Sequence, residues 1–504
     1  MHGDPPDYSI MDLDQDACYR AVATRDARFD GRFFGAVTST GIYCRPVCPA
    51  KTPRRENMVF YPSAAAAEEA GFRPCLRCRP ETAPDMGAWR GSSNTVNRAL
   101  ALIEHGALDD GDITALGDRL GVGERQLRRL FRQHLGASPV SVAQTRRVHL
   151  AKQLLHETRL PMAEVAMASG FGSIRRFNEA FQILFARPPG ALRRDVGEVA
   201  AGPAGEVTIR LRYRPPYDWS AILAFLAARA VPGMEVVEND SYARVVELDG
   251  LVGSVRVTQG EGDCLVAQVR FPRLPALPTI IARLRRVFDL SADPQAINAH
   301  LAKDAALAPL VAARPGLRAP GGWDGFELAM RAVLGQQVTV AAAIRLAGKL
   351  VETYGEPASL AATGHPALTR SFPRPERIAA AELTHLGMPG ARARALSTVA
   401  AAVVADPNLM GLNRSLEDAI ARLKALPGVG EWTAQYIALR GMREPDAFPA
   451  ADIGLMRALA DEDGRRPAAA ELLGRAEAWR PWRAYAAQHL WAAVPTATEA
   501  NQAA

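Results

Sequence analysis

Apolar residues recur along this chain with two different periods, and each change of period marks an element. In ERQLRRLFRQHL, Leu127, Leu130 and Phe131 fall at i, i+3 and i+4, the spacing of one helix face. The other face then displays Arg125, Arg128, Arg129 and Arg132, and Gly121-Val122-Gly123 separates this helix from the one before it. MAEVAMASGFGSIRRFNEAFQILF repeats the plan, with Gly170 and Gly172 in the turn and Phe177 and Phe181 facing inward. Ser173, Arg175, Arg176 and Asn178 become its outward groups. Period-two runs follow (VTIRLRY, YARVVEL, GSVRVTQ, CLVAQVRF) around a helical stretch near residues 219–230, which predicts an α+β layer over residues 206–289. From residue 290 onward the pattern is helical. Pro427-Gly428-Val429-Gly430 punctuates it, and glycine at both turn positions admits backbone conformations that other residues resist. Residues 16–81 read as a further small α+β unit.

A chain of 504 residues, 48% hydrophobic and 23% charged, suits three or four globular domains. No apolar run approaches the ~18 residues of a membrane span, and the acidic, polar N-terminus is not a signal peptide. Six cysteines are too few for a disulfide scaffold, which points to a reducing cytoplasm. The net charge of +6 is unevenly spread. Residues 113–194 hold 14 Lys+Arg against 5 Asp+Glu, or +9, so everything else sums to −3. A basic segment in an otherwise near-neutral chain points to nucleic acid.

Four of the cysteines form two close pairs, Cys44 and Cys48 as C-x3-C and Cys75 and Cys78 as C-x2-C, with 26 residues between the pairs. That spacing suits one tetrahedral Zn2+, each pair supplying an edge, and a purely structural zinc explains it equally well. The surrounding TSTGIYCRPVC…RRENMVFYPSAAAAEEAGFRPCLRCRP resembles the N-terminal domain of Ada-type adaptive-response proteins. The resemblance implies that Cys44 accepts a methyl group from a methylphosphotriester in DNA, and that Thr40, Lys51 and Arg73 contact phosphates. The chemistry is sound by itself, because a zinc-bound thiol stays deprotonated and nucleophilic. Four thiolates on Zn2+ carry a net charge of −2, and alkylating one lowers this to −1, which favours DNA. Cys18 and Cys264 have no partner nearby in sequence and read as buried, inert thiols.

The two paired-helix segments, ending in ARPPGALRR, resemble an AraC-type DNA-binding domain. A helical bundle without a DNA role is the plainer alternative, but Arg on both presumptive recognition helices favours the major groove. Two such helices on one protomer imply binding as a monomer. An activator of this kind also implies RNA polymerase as a partner.

The hairpin LPGVG, an aromatic at Trp432 and an acid at Asp452 together resemble the helix-hairpin-helix DNA glycosylases. RPPYDWSAILAFLAARAV, AARPGLRAPGGWDGFE and WRPWRAYAAQHLW extend the resemblance over residues 206–495, to AlkA-type 3-methyladenine DNA glycosylase II. It implies that Gly428 and Gly430 present the backbone to a DNA phosphate, and that Gln337 in LGQQVTV occupies the place of the apolar wedge. Trp432, Tyr436 and Trp491 match the aromatic positions that hold a flipped, cationic base by stacking and cation–π attraction. Asp452 would stabilise the developing oxocarbenium charge and direct water. Core packing for the aromatics and helix capping for Asp452 remain open as alternatives.

Departures from the pattern narrow the chemistry. Lyase-active relatives carry Lys where Trp432 stands, and no Lys occurs after Lys424, so no Schiff base is expected there. Cys264 is the last cysteine, which leaves no iron–sulfur cluster in the C-terminal domain. Ile453 replaces an aromatic neighbour of the acid. No Pro-Cys-His-Arg motif occurs, so O6-alkylguanine reversal is not expected.

The expected architecture is multidomain, α+β and mainly α. Residues 1–90 form the zinc-binding methyl-acceptor domain and 91–195 an all-α double helix-turn-helix domain. Residues 196–205 are a linker, 206–289 an α+β sheet domain and 290–504 a helical glycosylase domain. The expected activity is monofunctional excision of alkylated purines such as 3-methyladenine and 7-methylguanine, fused to a methylphosphotriester sensor and transcriptional regulator. The alternative is a sensor whose glycosylase half binds damaged DNA without cutting it.

Overall fold

The structure is a computed structural model that describes residues 14–84, 94–104, 106–109, 112–194, 206–411 and 415–494. The expected links at residues 91–93 and 196–205 lie outside them. The chain divides into two compact units, one running to Arg212 with Arg273–Ala282, the other comprising Tyr213–Pro272 and the chain from Arg283.

The first unit begins with α1 (Gln15–Ala23), β1 (Phe34–Val37), β2 (Ile42–Cys44), β3 (Met58–Tyr61), α2 (Ala64–Glu69) and β4 (Arg73–Pro74). The strands lie in the order β3-β1-β2-β4, antiparallel except for the parallel β2–β4 pair. That parallel pairing sets Tyr43 beside Pro74 and so brings two cysteine-bearing strand ends together.

Helices α3 (Asn94–Glu104), α4 (Ile113–Leu120), α5 (Glu124–Leu135), α6 (Pro139–Glu157), α7 (Met162–Ala168), α8 (Ile174–Phe185) and α9 (Pro189–Arg194) follow, then strand β5 (Glu206–Arg212). Both paired-helix segments form as the periodicity predicts. Leu127, Phe131, Phe177 and Phe181 have no exposed surface, while Leu130 is only partly buried. Gly121 and Gly170 take positive φ in the two turns.

Helix α6 is the scaffold onto which the cysteine module docks. Tyr43 donates to Glu68 Oε1 at 2.8 Å and meets His149 Nε2 at 3.1 Å, and Thr145 donates to Glu68 Oε2. Lys152 pairs with Glu81 at 2.8 Å with both side chains fully buried. Removing one member of such a pair strands a charge, at a cost of about 3–5 kcal/mol.

In the second unit, α10 (Trp219–Ala227) precedes β6 (Glu235–Glu238), β7 (Ser241–Leu248), β8 (Leu251–Gln259) and β9 (Cys264–Arg270). These four strands form an antiparallel meander. The helices that follow are α11 (Leu277–Val287), whose residues up to Ala282 are counted with the first unit, α12 (Pro294–Leu301), α13 (Leu307–Ala313), α14 (Gly325–Leu334), α15 (Val340–Tyr354), α16 (Leu360–Thr363) and α17 (Pro375–Ala379). The last are α18 (Gly390–Ala405), α19 (Leu416–Lys424), α20 (Glu431–Arg440), α21 (Ile453–Ala458), α22 (Ala469–Ala476) and α23 (Arg483–Ala493). Buried Arg244 of β7 pairs with Glu327 of α14 at 2.6 Å and joins the meander to the helices. No described helix is long and apolar enough to cross a membrane.

Candidate active site and metal centre

The hairpin between α19 and α20 needs only one of its two glycines for conformation. Gly428 has φ +89°, and a Cβ there would lie 2.4 Å from Ala395 Cβ. Gly430 has φ −88° and open space around it, which corrects the expectation that both take conformations barred to other residues. It serves instead as the N-cap of α20. No side chain caps that helix, so its first-turn N–H groups suit a phosphate. Gln336 braces the turn by donating to the Gly428 carbonyl and the Thr433 hydroxyl, both at 2.9 Å. Next to it, Gln337 adopts φ +54°, a position that sequence patterning gives no means of foreseeing.

Helix α20 presents Trp432, Tyr436 and Arg440 at successive i+4 positions, one face by the helical repeat. Trp432 and Tyr436 stack at 5.1 Å with an interplanar angle of 13°, and Trp491 of α23 meets Tyr436 edge-on at 6.3 Å. Asp452 lies among them. Its Oδ2 accepts the Trp432 indole N–H at 2.8 Å, and its Oδ1 accepts the Trp491 indole N–H at 2.9 Å. Oδ1 also caps α21 by accepting the Leu455 N–H at 3.0 Å. The expected helix cap is therefore present, and the same carboxylate also accepts both indole N–H groups. Trp432 is expected as a stacking residue, and its indole N–H is in addition a donor to the Asp452 carboxylate. Ile453 is exposed, and Gly454 admits the Trp491 ring, which a Cβ would meet at 3.2 Å.

Sequence reasoning missed two neighbours. Phe225 reaches the cluster from α10, more than two hundred residues before α20, so no local pattern could reveal it. Arg440 is 3% exposed, with its guanidinium against the rings of Phe225, Trp491 and Tyr436. A charged residue on the buried side of α20 was the signal available. Burial pushes the Tyr436 phenol up, but Arg440 and then Arg229 outweigh it and leave it below its usual value.

In the first unit, the four sulfurs of Cys44, Cys48, Cys75 and Cys78 lie within 4.8 Å of one another. The backbone assembles them. Cys75 N–H donates to the Tyr43 carbonyl across β2 and β4, and a turn returns Cys48 N–H to the Arg45 carbonyl. Arg45 N–H points to Cys78 Sγ at 3.4 Å, and its guanidinium ties Asp30, Thr82 and the Cys78 carbonyl together. Four thiols so gathered match a tetrahedral, soft-ligand zinc site. Cys44 is the most exposed of the four. Cys18 stands apart, and burial raises its thiol to about 11. Cys264 is buried as well, with its Sγ donating to the Glu261 carbonyl.

The expected DNA contacts on this unit lie at the surface. Thr40, Lys51 and Arg73 are exposed around the cysteine module, as are Arg125, Arg128, Arg129 and Arg132 on α5 and Ser173, Arg175, Arg176 and Asn178 about α8. Several have partners. Arg128 pairs with Glu124, Arg175 with Glu179 and Arg132 with Glu69, and Ser173 caps α8 by accepting the Arg176 N–H.

Four family models match the chain. They are the metal-binding domain of Ada over residues 17–81, a helix-turn-helix domain over 116–195, the AlkA N-terminal domain over 208–324, and the HhH-GPD superfamily of base excision DNA repair proteins over 330–484. The chain is 42% identical to a probable bifunctional transcriptional activator/DNA repair enzyme, AlkA, of Mycobacterium tuberculosis, over 95% of this chain and 97% of that one. It is 39% identical to DNA-3-methyladenine glycosylase 2 of Escherichia coli, over 56% of this chain and 95% of that one. Among solved structures, a 3-methyladenine DNA glycosylase from Archaeoglobus fulgidus shares the glycosylase fold, with a TM-score of 0.50 and 22% identity over 56% of this chain and 96% of that one. With the four-cysteine centre, the paired helix-turn-helix units and the hairpin-and-acid site in one chain, the protein belongs to the family of bifunctional transcriptional activator/DNA repair enzymes that join an Ada-type regulator to an AlkA-type glycosylase.

Proposed function

We propose that Asp452 is the acid of a monofunctional glycosylase that excises alkylated purines from DNA, with Trp432, Tyr436 and Trp491 as the cage for the flipped base. The observation that carries this is the carboxylate held between two indole N–H groups of that same cage. An N3- or N7-alkylated purine is cationic and a good leaving group. The glycosidic bond breaks with both electrons passing to the base, which leaves neutral, and the positive charge passes to the sugar. The Asp452 carboxylate stabilises that charge, and water adds with loss of a proton to solvent. No lysine follows Lys424, so no amine of that region competes for the sugar and the product strand stays abasic and uncut.

The first unit is read as the sensor. Cys44, Cys48, Cys75 and Cys78 would hold the zinc, which when bound would keep their sulfurs deprotonated. The Cys44 sulfur attacks the methyl carbon of a methylphosphotriester, the carbon–oxygen bond breaks, and a phosphodiester anion departs. Thr40, Lys51 and Arg73 face that DNA, and the Arg, Ser and Asn side chains of α5 and α8 face an operator. Gln337, Gly428 and Gly430 take the damaged strand in the second unit. Two recognition helices on one protomer favour a monomer, RNA polymerase is the partner of an activator, and the compartment is the cytoplasm.

Asp452→Asn tests the enzyme, because Asn keeps the helix cap while losing the charge. Release of 3-methyladenine from methylated DNA should fall at least a hundredfold, with binding of damaged duplex retained. Release at the wild-type rate removes Asp452 from the reaction. No release by the wild-type chain instead supports a sensor that binds without cutting.

A further inference from the structure

We propose that Arg440 is a specificity-determining residue of the excision site, a buried guanidinium without a carboxylate partner whose charge opposes the holding of a cationic base and favours its departure. The proposal rests on the reading of Trp432, Tyr436 and Trp491 as the base cage.

Arg440 is 3% exposed, and among the described residues it hydrogen-bonds neutral groups, among them the Pro320 carbonyl at 2.7 Å and Gln488 Oε1 at 3.0 Å. Its Nε is buried with no hydrogen-bond partner among the described residues. No carboxylate pairs with it among the described residues. What surrounds it is aromatic, with Phe225 at 4.5 Å, Trp491 at 5.1 Å and Tyr436 at 5.5 Å. Arg229 lies against the same Phe225 ring at 4.0 Å. Burial pulls the Arg440 guanidinium down to about 10, which still leaves it charged at neutral pH. A buried charge with no counter-ion is expensive, and hydrogen bonds to two neutral acceptors could be made by a neutral side chain.

The rings of the cage attract a cation through their negative faces. Here part of that capacity is already spent on Arg440. A base touching Tyr436 or Trp491 lies about 9 Å from the guanidinium, adding a stacking distance to the ring contacts. At an effective dielectric near 20, two like charges at that range weaken binding on the order of tenfold. A neutral purine meets no such penalty. When the glycosidic bond breaks, the electron pair neutralises the base and the charge moves to the sugar beside Asp452. The repulsion between base and Arg440 then vanishes, so it destabilises the bound substrate more than the transition state.

The test uses the full chain in an Asp452→Asn background, so that binding is read without cleavage. Duplexes carry 7-methylguanine, which is cationic, or hypoxanthine, which is neutral, at the same position. Arg440→Gln removes the charge, and Gln488→Glu supplies a carboxylate counter-ion without touching the cage. Both should tighten the 7-methylguanine duplex about tenfold and leave the hypoxanthine duplex within twofold. With Asp452 restored, both should slow single-turnover release of 7-methylguanine. Equal shifts on the two duplexes would make Arg440 a structural brace and overturn the proposal. So would a folded Gln488→Glu protein with unchanged binding, which covers the case of Arg440→Gln failing to fold. Trp491→Ala separates the two readings. If it leaves 7-methylguanine binding intact, the cage itself is wrong; if it weakens binding while Gln488→Glu does nothing, only the role of Arg440 falls.

Discussion

The Asp452 carboxylate accepts three hydrogen bonds from three different segments. Its N-cap bond to Leu455 fixes the start of α21, and the two indole bonds fix the plane of the carboxylate. Trp432→Phe keeps the ring stacked on Tyr436 but deletes one of those donors. A hydrogen bond to a charged group is worth about 1.5–3 kcal/mol, so single-turnover excision should fall roughly tenfold to a hundredfold, with damaged-DNA affinity little changed. A wild-type rate would show that this indole does not orient the acid. His489 of α23 carries a different message. It is 3% exposed, and burial lowers its pKa from 6.5 to about 4, with Arg314 adding to the effect. The unfolded chain therefore takes up the proton first, and stability declines as pH falls from about 6.5 toward 4. At pH 5 the loss is about 2 kcal/mol. His489→Gln should flatten that part of the unfolding profile; an unchanged slope would assign the pH dependence to other groups.

At the scale of elements, the hairpin and the docking helix make opposite points. The hairpin was legible because Pro and Gly interrupt two apolar periodicities, yet the two glycines proved unequal. Gly428→Ala forces a side chain into left-handed backbone and against Ala395, and should destabilise the second unit by about 1–3 kcal/mol and weaken binding to damaged duplex. Gly430→Ala, with ordinary φ and open space but a poorer N-cap residue, should cost no more than about 1 kcal/mol in denaturant unfolding and less than Gly428→Ala. Equal effects would contradict the geometry. Nothing in the sequence patterning singled out α6, Pro139–Glu157. Its pairing of Lys152 with Glu81, and of Thr145 and His149 with the Tyr43–Glu68 couple, shows it to be the seat of the cysteine module. Those contacts span dozens of residues, beyond the reach of any window of periodicity.

For the whole molecule, two chemistries occupy two units, and each should survive loss of the other. Cys44→Ser should abolish methyl transfer from methylphosphotriester DNA, read by mass spectrometry, and leave base excision at its wild-type rate. A methyl group found on Cys48, Cys75 or Cys78 instead would move the nucleophile. Methylation of Cys44 removes one negative charge, worth roughly 0.6 kcal/mol per phosphate about 7 Å away in water, and several phosphates fall within a Debye length. Operator binding should tighten by about one to two orders of magnitude, and less at high salt. While Trp432 and Asp452 were singled out only through the family resemblance, what the sequence determined by itself is what local spacing carries: the cysteine pairs, the two helix-turn-helix patterns and the hairpin. These are readable because a helix face, a turn and a ligand pair each repeat or close within a few residues. The tertiary structure alone decided which groups converge from distant segments. It placed the Asp452 carboxylate between indoles of α20 and α23, brought Phe225 from α10 against Arg440, and left Arg440 without a carboxylate partner among the described residues. Such convergence depends on packing between elements far apart in the chain, where burial rather than spacing sets which polar groups meet.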